Sequence, residues 1–291
     1  MRYRALGDLK VSAIGYGAMP LSIEGRPDEA RALATVHAAL DAGVTLLDTA
    51  DSYYAPGGEP GHNELLLARA LVSYGRPTDH VLVATKGGRG RTDDGDWSVD
   101  GRPEHLKRAA KASLRRLGTD AIGLYQLHKP DPAVPYADSL GALRELTDEG
   151  TVRLVGISNA DTEQILLARD ILGERLVSVQ NRYSPAVRDA EPELRLTAEL
   201  GLAFLPWSPL GGISRSSLDG ASAVAADPAH QAFHTVARER GVSPQRIALA
   251  WLLARSPNVV PIPGGSRPES VRDSAAAADL VLSDEERALL P

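Results

Sequence analysis

The sequence predicts a (β/α)8 TIM barrel that is preceded by a short β-hairpin. Three observations indicate this fold: the chain length, a regular alternation of short apolar runs with longer amphipathic stretches, and polar residues directly after the apolar runs. The chain has 291 residues, and barrels of this kind are built from roughly 250 residues as one unit. We therefore expect a single barrel domain over residues 1–291 rather than an open sheet or two smaller domains.

The elements of this barrel can be read in order along the chain. Residues 3–13 contain turn residues between two short apolar stretches, which predicts the hairpin. Continuous apolar runs are typical of parallel strands that are buried on both faces, and eight such runs follow, at residues 13–19, 44–47, 81–84, 121–127, 152–157, 176–179, 202–205 and 258–262. Stretches of helical period occur between and after them, at residues 27–42, 63–74, 102–117, 136–149, 161–172, 192–200, 244–255 and 268–279.

Helix-capping residues and one long segment complete this pattern. Proline or aspartate occurs near several predicted helix starts, and glycine follows several predicted helix ends, as helix capping requires. Residues 208–229 are rich in Gly, Ser and Asp, which predicts a long loop after the seventh strand. Loops of this length in compact domains are usually functional or disordered.

Composition excludes several classes of protein. The formal net charge is −6, from 32 basic and 38 acidic residues, and no stretch is densely basic, so a general nucleic-acid binder is disfavoured. The chain has no cysteine, which excludes disulfides and cysteine-based zinc sites. Its start lacks the apolar core of a signal peptide, and no apolar run approaches the ~18 residues of a membrane span. We expect a cytoplasmic protein without nucleic-acid or membrane partners, and the oligomeric state stays open.

Polar side chains stand directly after the predicted strands. Asp48 follows the second apolar run, Lys86 the third and His128 the fourth. The residues that follow the strands of a barrel form one rim, where active sites are built. Asp48 alone is compatible with a helix cap and His128 with a core histidine, but Lys86 comes directly after four apolar residues, where an unpaired charge is costly. Together the three residues predict one polar pocket.

The rim also argues against some chemistries. One histidine is too few for a histidine-rich metal centre, and a carboxylate site formed by Asp48 and Asp51 with Glu59 or Glu64 is a weak candidate, so we expect no metal. The sequence has no Gly-x-Ser-x-Gly elbow, no Walker A loop and no Gly-x-Gly-x-x-Gly motif that opens a helix. Residues 87–90 are predicted to form a mobile loop. A dinucleotide at this rim is therefore not expected to bind as in a Rossmann fold.

A series of short motifs spans nearly the whole chain and comprises Asp48-Thr49-Ala50-Asp51-Ser52-Tyr53, Gly61-His62-Asn63-Glu64, Ala84-Thr85-Lys86, Leu124-Tyr125-Gln126-Leu127-His128, Gly156-Ile157-Ser158-Asn159, Gln180-Asn181, Trp207-Ser208-Pro209-Leu210 and Pro261-Ile262-Pro263-Gly264. These motifs, in this order, resemble the aldo-keto reductases, most strongly bacterial members and the related β-subunits of potassium channels. The resemblance implies a (β/α)8 barrel, a nicotinamide cofactor that lies extended across the rim, and carbonyl reduction or alcohol oxidation.

The family's catalytic tetrad falls on Asp48, Tyr53, Lys86 and His128. During reduction, negative charge builds on the carbonyl oxygen, which needs a proton and hydrogen bonds placed in advance. Tyr53 is the expected acid. Free tyrosine has a pKa of ~10, and we expect the Lys86 cation to lower it, with Asp48 orienting Lys86 and His128 donating a hydrogen bond to the substrate oxygen.

The resemblance also implies cofactor and substrate positions. It places the carboxamide at Ser158, Asn159 and Gln180, and the nicotinamide ring at Trp207. It places the pyrophosphate at Ser208, Leu210 and Gly212, and the adenosine 2′-phosphate at Gly264, Arg267, Ser270 and Asp273. Many members have arginine at position 270 and asparagine where this chain has Ser274. We expect NADP(H), with NAD(H) left open. The substrate pocket is expected at Met19, Tyr54 and Trp97, with parts of 129–136 and 213–230.

Three functions are compatible with this pattern. The first is an NADPH-dependent reductase that converts an aldehyde or ketone to an alcohol. The second is a nucleotide-binding regulatory subunit of the channel-β type. The third is a lyase that forms a Schiff base on Lys86. The intact tetrad favours the reductase, and its substrate is expected to be a small carbonyl compound, with sugar-derived, pyridoxal-like and aromatic aldehydes all open.

Overall fold

The structure, a computed structural model, describes residues 1–92, 94–214 and 228–291, without the side chains of residues 228 and 229. The strands are β1 (Tyr3–Leu6), β2 (Leu9–Ser12), β3 (Tyr16–Gly17), β4 (Leu46–Asp48), β5 (Leu82–Gly87), β6 (Arg89–Arg91), β7 (Trp97–Val99), β8 (Ile122–Leu127), β9 (Val152–Ser158), β10 (Leu176–Gln180) and β11 (Ala203–Phe204). The helices are α1 (Glu29–Asp41), α2 (His62–Ser73), α3 (Pro103–Leu117), α4 (Tyr136–Asp148), α5 (Thr162–Leu172), α6 (Glu191–Glu199), α7 (Pro228–Arg240), α8 (Pro244–Arg255), α9 (Pro268–Ala276) and α10 (Asp284–Leu289).

A curved parallel sheet forms the centre of the fold. Its strand order is β11-β10-β9-β8-β5-β4-β3, and every neighbouring pair in it is parallel. The segment 258–264 joins the two edges of this sheet. On one side the Phe204 N–H donates to the carbonyl of Asn258 at 2.9 Å, and on the other the Gly17 N–H donates to the carbonyl of Pro263 at 3.0 Å. The predicted (β/α)8 barrel is confirmed.

The eighth predicted strand, residues 258–262, closes the barrel without being a regular strand. The N–H groups of Val260 and Ile262 donate toward the β11 side. On the β3 side, Pro261 and Pro263 accept hydrogen bonds through their carbonyls but have no N–H to return. The backbone hydrogen bonds that N–H groups at these two positions would donate toward β3 are therefore missing. The expected strand is reduced to isolated bridges such as Gly17 with Gly264.

The N-terminal hairpin is confirmed and covers the end of the barrel where the strands begin. β1 and β2 pair antiparallel around Gly7, whose φ of +57° suits glycine. Leu6 and Val11 are buried in one cluster with side chains from inside the barrel. Since this end is filled by apolar side chains, the opposite end, where the strands terminate, is left for a site.

Four elements, β6, β7, α7 and α10, were not predicted from the sequence. Residues 87–90, predicted to form a mobile loop, include the start of β6, which pairs antiparallel with β7. Helices α7 and α10 were also missed. The predicted loop 208–229 is shorter than expected because α7 begins at Pro228, and its residues 215–227 lie outside the described residues. None of the helices in the described ranges is long and apolar enough to cross a membrane.

The contact between β3 and the segment 258–264, which closes the barrel, gives a stability prediction at Gly17. An added Cβ there would lie 2.8 Å from the carbonyl oxygen of Ile262, so Gly17→Ala must push the two edges of the barrel apart. Overpacking of this kind costs about 1–3 kcal/mol, and we expect the free energy of unfolding in urea to fall by that amount. Gly141→Ala is the control, since its Cβ meets nothing within 4 Å and alanine favours a helix interior. Equal free energies of unfolding for the Gly17→Ala and wild-type proteins would contradict a close contact between Gly17 and Ile262.

Candidate active site

The four side chains of the predicted tetrad meet where β4, β5 and β8 end. Asp48 is the last residue of β4, Lys86 lies at the end of β5, His128 follows β8, and Tyr53 lies in the segment after β4. All four side chains are buried. The rings of Tyr53 and His128 meet edge to face, with centroids 5.6 Å apart. The structure thus brings together Asp48, Lys86 and His128, as the barrel topology predicted, and places Tyr53 beside Lys86 and His128.

Lys86 is fully buried and has an acceptor for each of its three ammonium protons. Its Nζ donates to Asp48 Oδ1 at 2.6 Å, to the carbonyl of Thr49 at 2.8 Å and to Tyr53 Oη at 3.2 Å. Burial alone would lower the pKa of this lysine, but the carboxylate of Asp48 and the oxygen of Tyr53 outweigh burial and raise it. Lys86 is therefore a cation.

Asp48 is held from two further strands. Its Oδ2 accepts from Gln180 Nε2 at 2.8 Å and from Gln126 Nε2 at 3.3 Å. Gln180 Nε2 also reaches Gln126 Oε1 at 3.3 Å. Gln126 was missed from the sequence as a site residue, although a polar residue within the apolar run 121–127 was the signal that could have found it. The carboxylate is fixed by one ammonium and two amide groups.

The acid–base properties of Tyr53 and His128 follow from burial. Burial raises the pKa of the Tyr53 phenol, and the nearby Lys86 cation opposes this only in part. The expectation of a lowered pKa was therefore wrong in its net direction, because desolvation of the phenolate is the larger effect. Burial, together with the cations Lys86 and Arg89, brings the pKa of His128 well below its usual range, so its ring is neutral at pH 7.

A cavity opens in front of Tyr53 and His128. One side of it is a hydrogen-bonded platform made by Ser158, Asn159 and Trp207. Trp207 Nε1 donates to Asn159 Oδ1 at 3.2 Å, and Asn159 Nδ2 donates to the carbonyl of His128 at 2.9 Å and to Ser158 Oγ at 3.1 Å. Asn159 has a φ of +58°, which asparagine tolerates better than most residues. The platform presents a flat indole beside polar amide and hydroxyl groups.

Most other predicted positions also line this cavity, namely Met19, Trp97, Gln180, Ser208, Leu210 and Gly264. Two do not. Tyr54 is only 8% exposed and is absent from the cavity wall, so it is not the pocket residue that the sequence suggested. Gly212 faces His230, which lies 2.5 Å from where its Cβ would be, and the neighbouring Gly211 lines the cavity instead.

The predicted 2′-phosphate positions are divided between two places. Arg267 and Ser270 lie at the N-terminus of α9, where Arg267 Nη2 is 3.4 Å from Ser270 Oγ. Asp273 lies on the same helix but forms an ion pair with Arg246 at 2.6 Å and contacts Ser243. Since its carboxylate is occupied, Asp273 serves to hold α9 against α8 rather than to line an opening.

Arg89 lines the cavity and was missed from the sequence, where it fell in the predicted loop. It is the first residue of β6, and its guanidinium carbon lies 4.2 Å from the centroid of the Trp97 ring. The alternation of Arg89 and Arg91 before a tryptophan was the available signal, because residues two apart on a strand share one face.

Two of the four carboxylates considered as metal ligands, Glu64 and Asp48, have other partners. Glu64 accepts hydrogen bonds from Thr85 at 2.5 Å and Arg116 at 2.6 Å, and Asp48 is paired with Lys86. Within the described ranges, no group of three or more His, Asp or Glu side chains is placed to hold a metal ion.

Comparison with known proteins agrees with this geometry. Residues 13–290 match the profile of the Aldo/keto reductase family. The chain is 36% identical to 6-dehydroglucose reductase of Novosphingobium aromaticivorans, covering 94% of this chain and 90% of that protein. It is 34% identical to pyridoxine 4-dehydrogenase of Escherichia coli, covering 96% and 94%.

Among solved structures, an aldo/keto reductase from Klebsiella pneumoniae in complex with NADP and acetate matches with a TM-score of 0.75 and 29% identity, covering 96% of this chain and 90% of that one. The family match spans the barrel from β3 to α10, and with it the whole cavity wall. This chain belongs to the aldo/keto reductase family.

Proposed function

We propose that this protein is an NADPH-dependent oxidoreductase that reduces an aldehyde or ketone to an alcohol, reversibly, with Tyr53 as the general acid and base. One observation carries the proposal: the buried ammonium of Lys86 contacts both the Asp48 carboxylate and the Tyr53 hydroxyl, and that hydroxyl lines an open cavity. Relatives named as a reductase and a dehydrogenase support the same class of reaction.

The cavity wall fits a nicotinamide. The indole of Trp207 offers a flat apolar surface, and Ser158, Asn159 and Gln180 offer side-chain oxygens that can accept hydrogen bonds from a carboxamide. Nε2 of Gln180 is hydrogen-bonded to Asp48 and to Gln126. Its Oε1 is therefore the atom that can accept a hydrogen bond from the carboxamide N–H. When bound, NADPH supplies the hydride. The complex of the Klebsiella relative with NADP supports this assignment.

Side chains of the protein then protonate the substrate oxygen and stabilise the negative charge that develops. The hydroxyl of Tyr53 donates its proton to the substrate oxygen as negative charge builds there. Lys86 stabilises the phenolate that remains, and Asp48 keeps the ammonium oriented. The Nδ1 of the neutral His128 lies 3.4 Å from Ser52 Oγ, so Nε2 is the ring nitrogen available to hydrogen-bond the substrate oxygen. The raised pKa of Tyr53 keeps this acid protonated at pH 7.

The Schiff-base alternative conflicts with the state of Lys86. A lysine nucleophile must be neutral and free to attack. Here the pKa of Lys86 is raised, its three protons are all engaged, and its side chain is completely buried. These contacts suit an electrostatic role and oppose a nucleophilic one.

Tyr53→Phe tests the proposed acid. The change keeps the ring and its packing but removes the proton donor, and general acid catalysis contributes typically ~10²–10⁴-fold. We expect kcat for NADPH-dependent aldehyde reduction to fall by about that factor while cofactor affinity is retained. Tyr74→Phe is the control, since its hydroxyl contacts Asp41 at 2.9 Å outside the cavity. A Tyr53→Phe enzyme within threefold of wild type would refute the role.

Lys86→Met tests the coupling between the lysine and the acid. Both residues act on one proton, so the loss of activity in the Tyr53→Phe, Lys86→Met double variant should be far smaller than the product of the two single losses. Steady-state rates of the singles and the double give the coupling directly. Fully multiplicative losses would show that Lys86 acts independently of Tyr53. NADPH binding without any carbonyl turnover in wild type would instead favour the regulatory subunit.

Arg267→Ala tests the cofactor preference. Arg267 is exposed at the N-terminus of α9, where the helix dipole also favours a phosphate. A hydrogen bond to a charged group contributes ~1.5–3 kcal/mol, or roughly ten- to a hundredfold in affinity. We therefore expect NADPH to bind more tightly than NADH, and Arg267→Ala to narrow the gap. Arg272→Ala removes the same charge from an exposed position on α9 and should leave the ratio unchanged. Equal affinities of wild type for both cofactors would contradict the assignment.

A further inference from the structure

We propose that Arg89 is a specificity-determining residue that selects carbonyl substrates bearing a carboxylate. The inference rests on the proposed function, because it places the substrate's reacting carbonyl at Tyr53 and His128. Arg89, Trp97, Tyr53 and His128 all line the same cavity. The positive charge of Arg89 also acts to lower the pKa of Tyr53 and of His128, so this charge lies near the reacting end of the cavity.

The hairpin that carries Arg89 holds it against an aromatic ring. Trp97 on β7 has the guanidinium carbons of Arg89 and Arg91 at 4.2 Å and 4.1 Å from its ring centroid. Cation–π contacts of this kind orient an arginine without using its N–H donors. The donors of Arg89 therefore stay available for a ligand.

The two arginines differ in their acidic partners. Arg91 forms a bidentate pair with Glu24, with both N–O distances at 3.0 Å. Arg89 has no carboxylate partner and no side-chain hydrogen bond among the residues that the structure describes. It is nevertheless partly buried, and a guanidinium that loses water without gaining a counter-ion is unfavourable. This imbalance is expected where the counter-ion comes with the substrate.

The charge balance of the cavity indicates a carboxylate rather than a phosphate. Among its described lining residues, Arg89 is the one cationic side chain, and Asp48 is the one carboxylate and is already paired with Lys86. A single guanidinium matches one carboxylate in charge and in fork geometry, whereas a phosphate monoester carries about −1.5 to −2 charges at pH 7. The side chain of Trp97 beside it favours a carboxylate attached to an apolar or aromatic group.

A matched pair of aldehydes tests the inference by turnover. 4-Carboxybenzaldehyde and 4-formylbenzamide have nearly the same shape and differ in charge. We expect Arg89→Met to lower kcat/KM for the acid by about tenfold or more relative to the amide, as loss of a charge-assisted hydrogen bond implies. Comparing the ratio between variant and wild type cancels the intrinsic reactivity of the two aldehydes. Arg91→Met, which removes the charge beside the same ring, should change both substrates alike.

Binding of unreactive analogues keeps this test separate from the proposed function. Calorimetry with NADPH-saturated protein should show that 4-methylbenzoate binds at least tenfold more weakly to Arg89→Met than to wild type, with 4-methylbenzamide unaffected. Equal benzoate affinity in the two proteins, or equal losses for acid and amide in turnover, would overturn the inference. If wild type reduces neither aldehyde but still binds benzoate through Arg89, the carboxylate site stands and the proposed reductase function fails.

Discussion

The end of the barrel where the strands terminate depends on the hydrogen bonds around one fully buried ammonium group. Removing a cation from water costs several kcal/mol even after relaxation, so Lys86 can lie at the end of β5 only if three acceptors surround it. Asp48, the carbonyl of Thr49 and the hydroxyl of Tyr53 supply them. The same contacts that make burial of the ammonium tolerable also fix the Tyr53 phenol at the cavity.

The network extends from this lysine to the rest of the site. The second oxygen of Asp48 accepts hydrogen bonds from Gln126 on β8 and Gln180 on β10, so one carboxylate links β4, β8 and β10, which alternate with β5 and β9 in the sheet. Gln180 also faces the cavity, beside the platform of Asn159 and Trp207. A cofactor on that platform and a substrate near the β6–β7 hairpin would both be positioned relative to the same buried charge.

The sequence was informative where structure follows from local pattern. Apolar runs predicted the strands, and the residues directly after them predicted that Asp48, Lys86 and His128 share one pocket, because parallel strands end at one rim. Tyr53 was predicted from the family resemblance. The sequence was less informative where the outcome depends on distant contacts. The partner of Asp273 is Arg246 on another helix, and the net pKa shift of Tyr53 depends on how deeply its ring is buried. In the loop after β11, a register difference of one residue moved the cavity position from Gly212 to Gly211.

The measurement that bears most directly on the buried network is the ionisation of Tyr53 itself, followed by NMR of protein labelled with 13C at the tyrosine Cζ. The spectrum of Tyr53→Phe identifies the signal. We expect a titration midpoint above the value of ~10 for free tyrosine, because burial exceeds the effect of Lys86, and a still higher midpoint in Lys86→Met, where that cation is lost. A midpoint at or below the free value, or one that Lys86→Met leaves unchanged, would contradict this expectation.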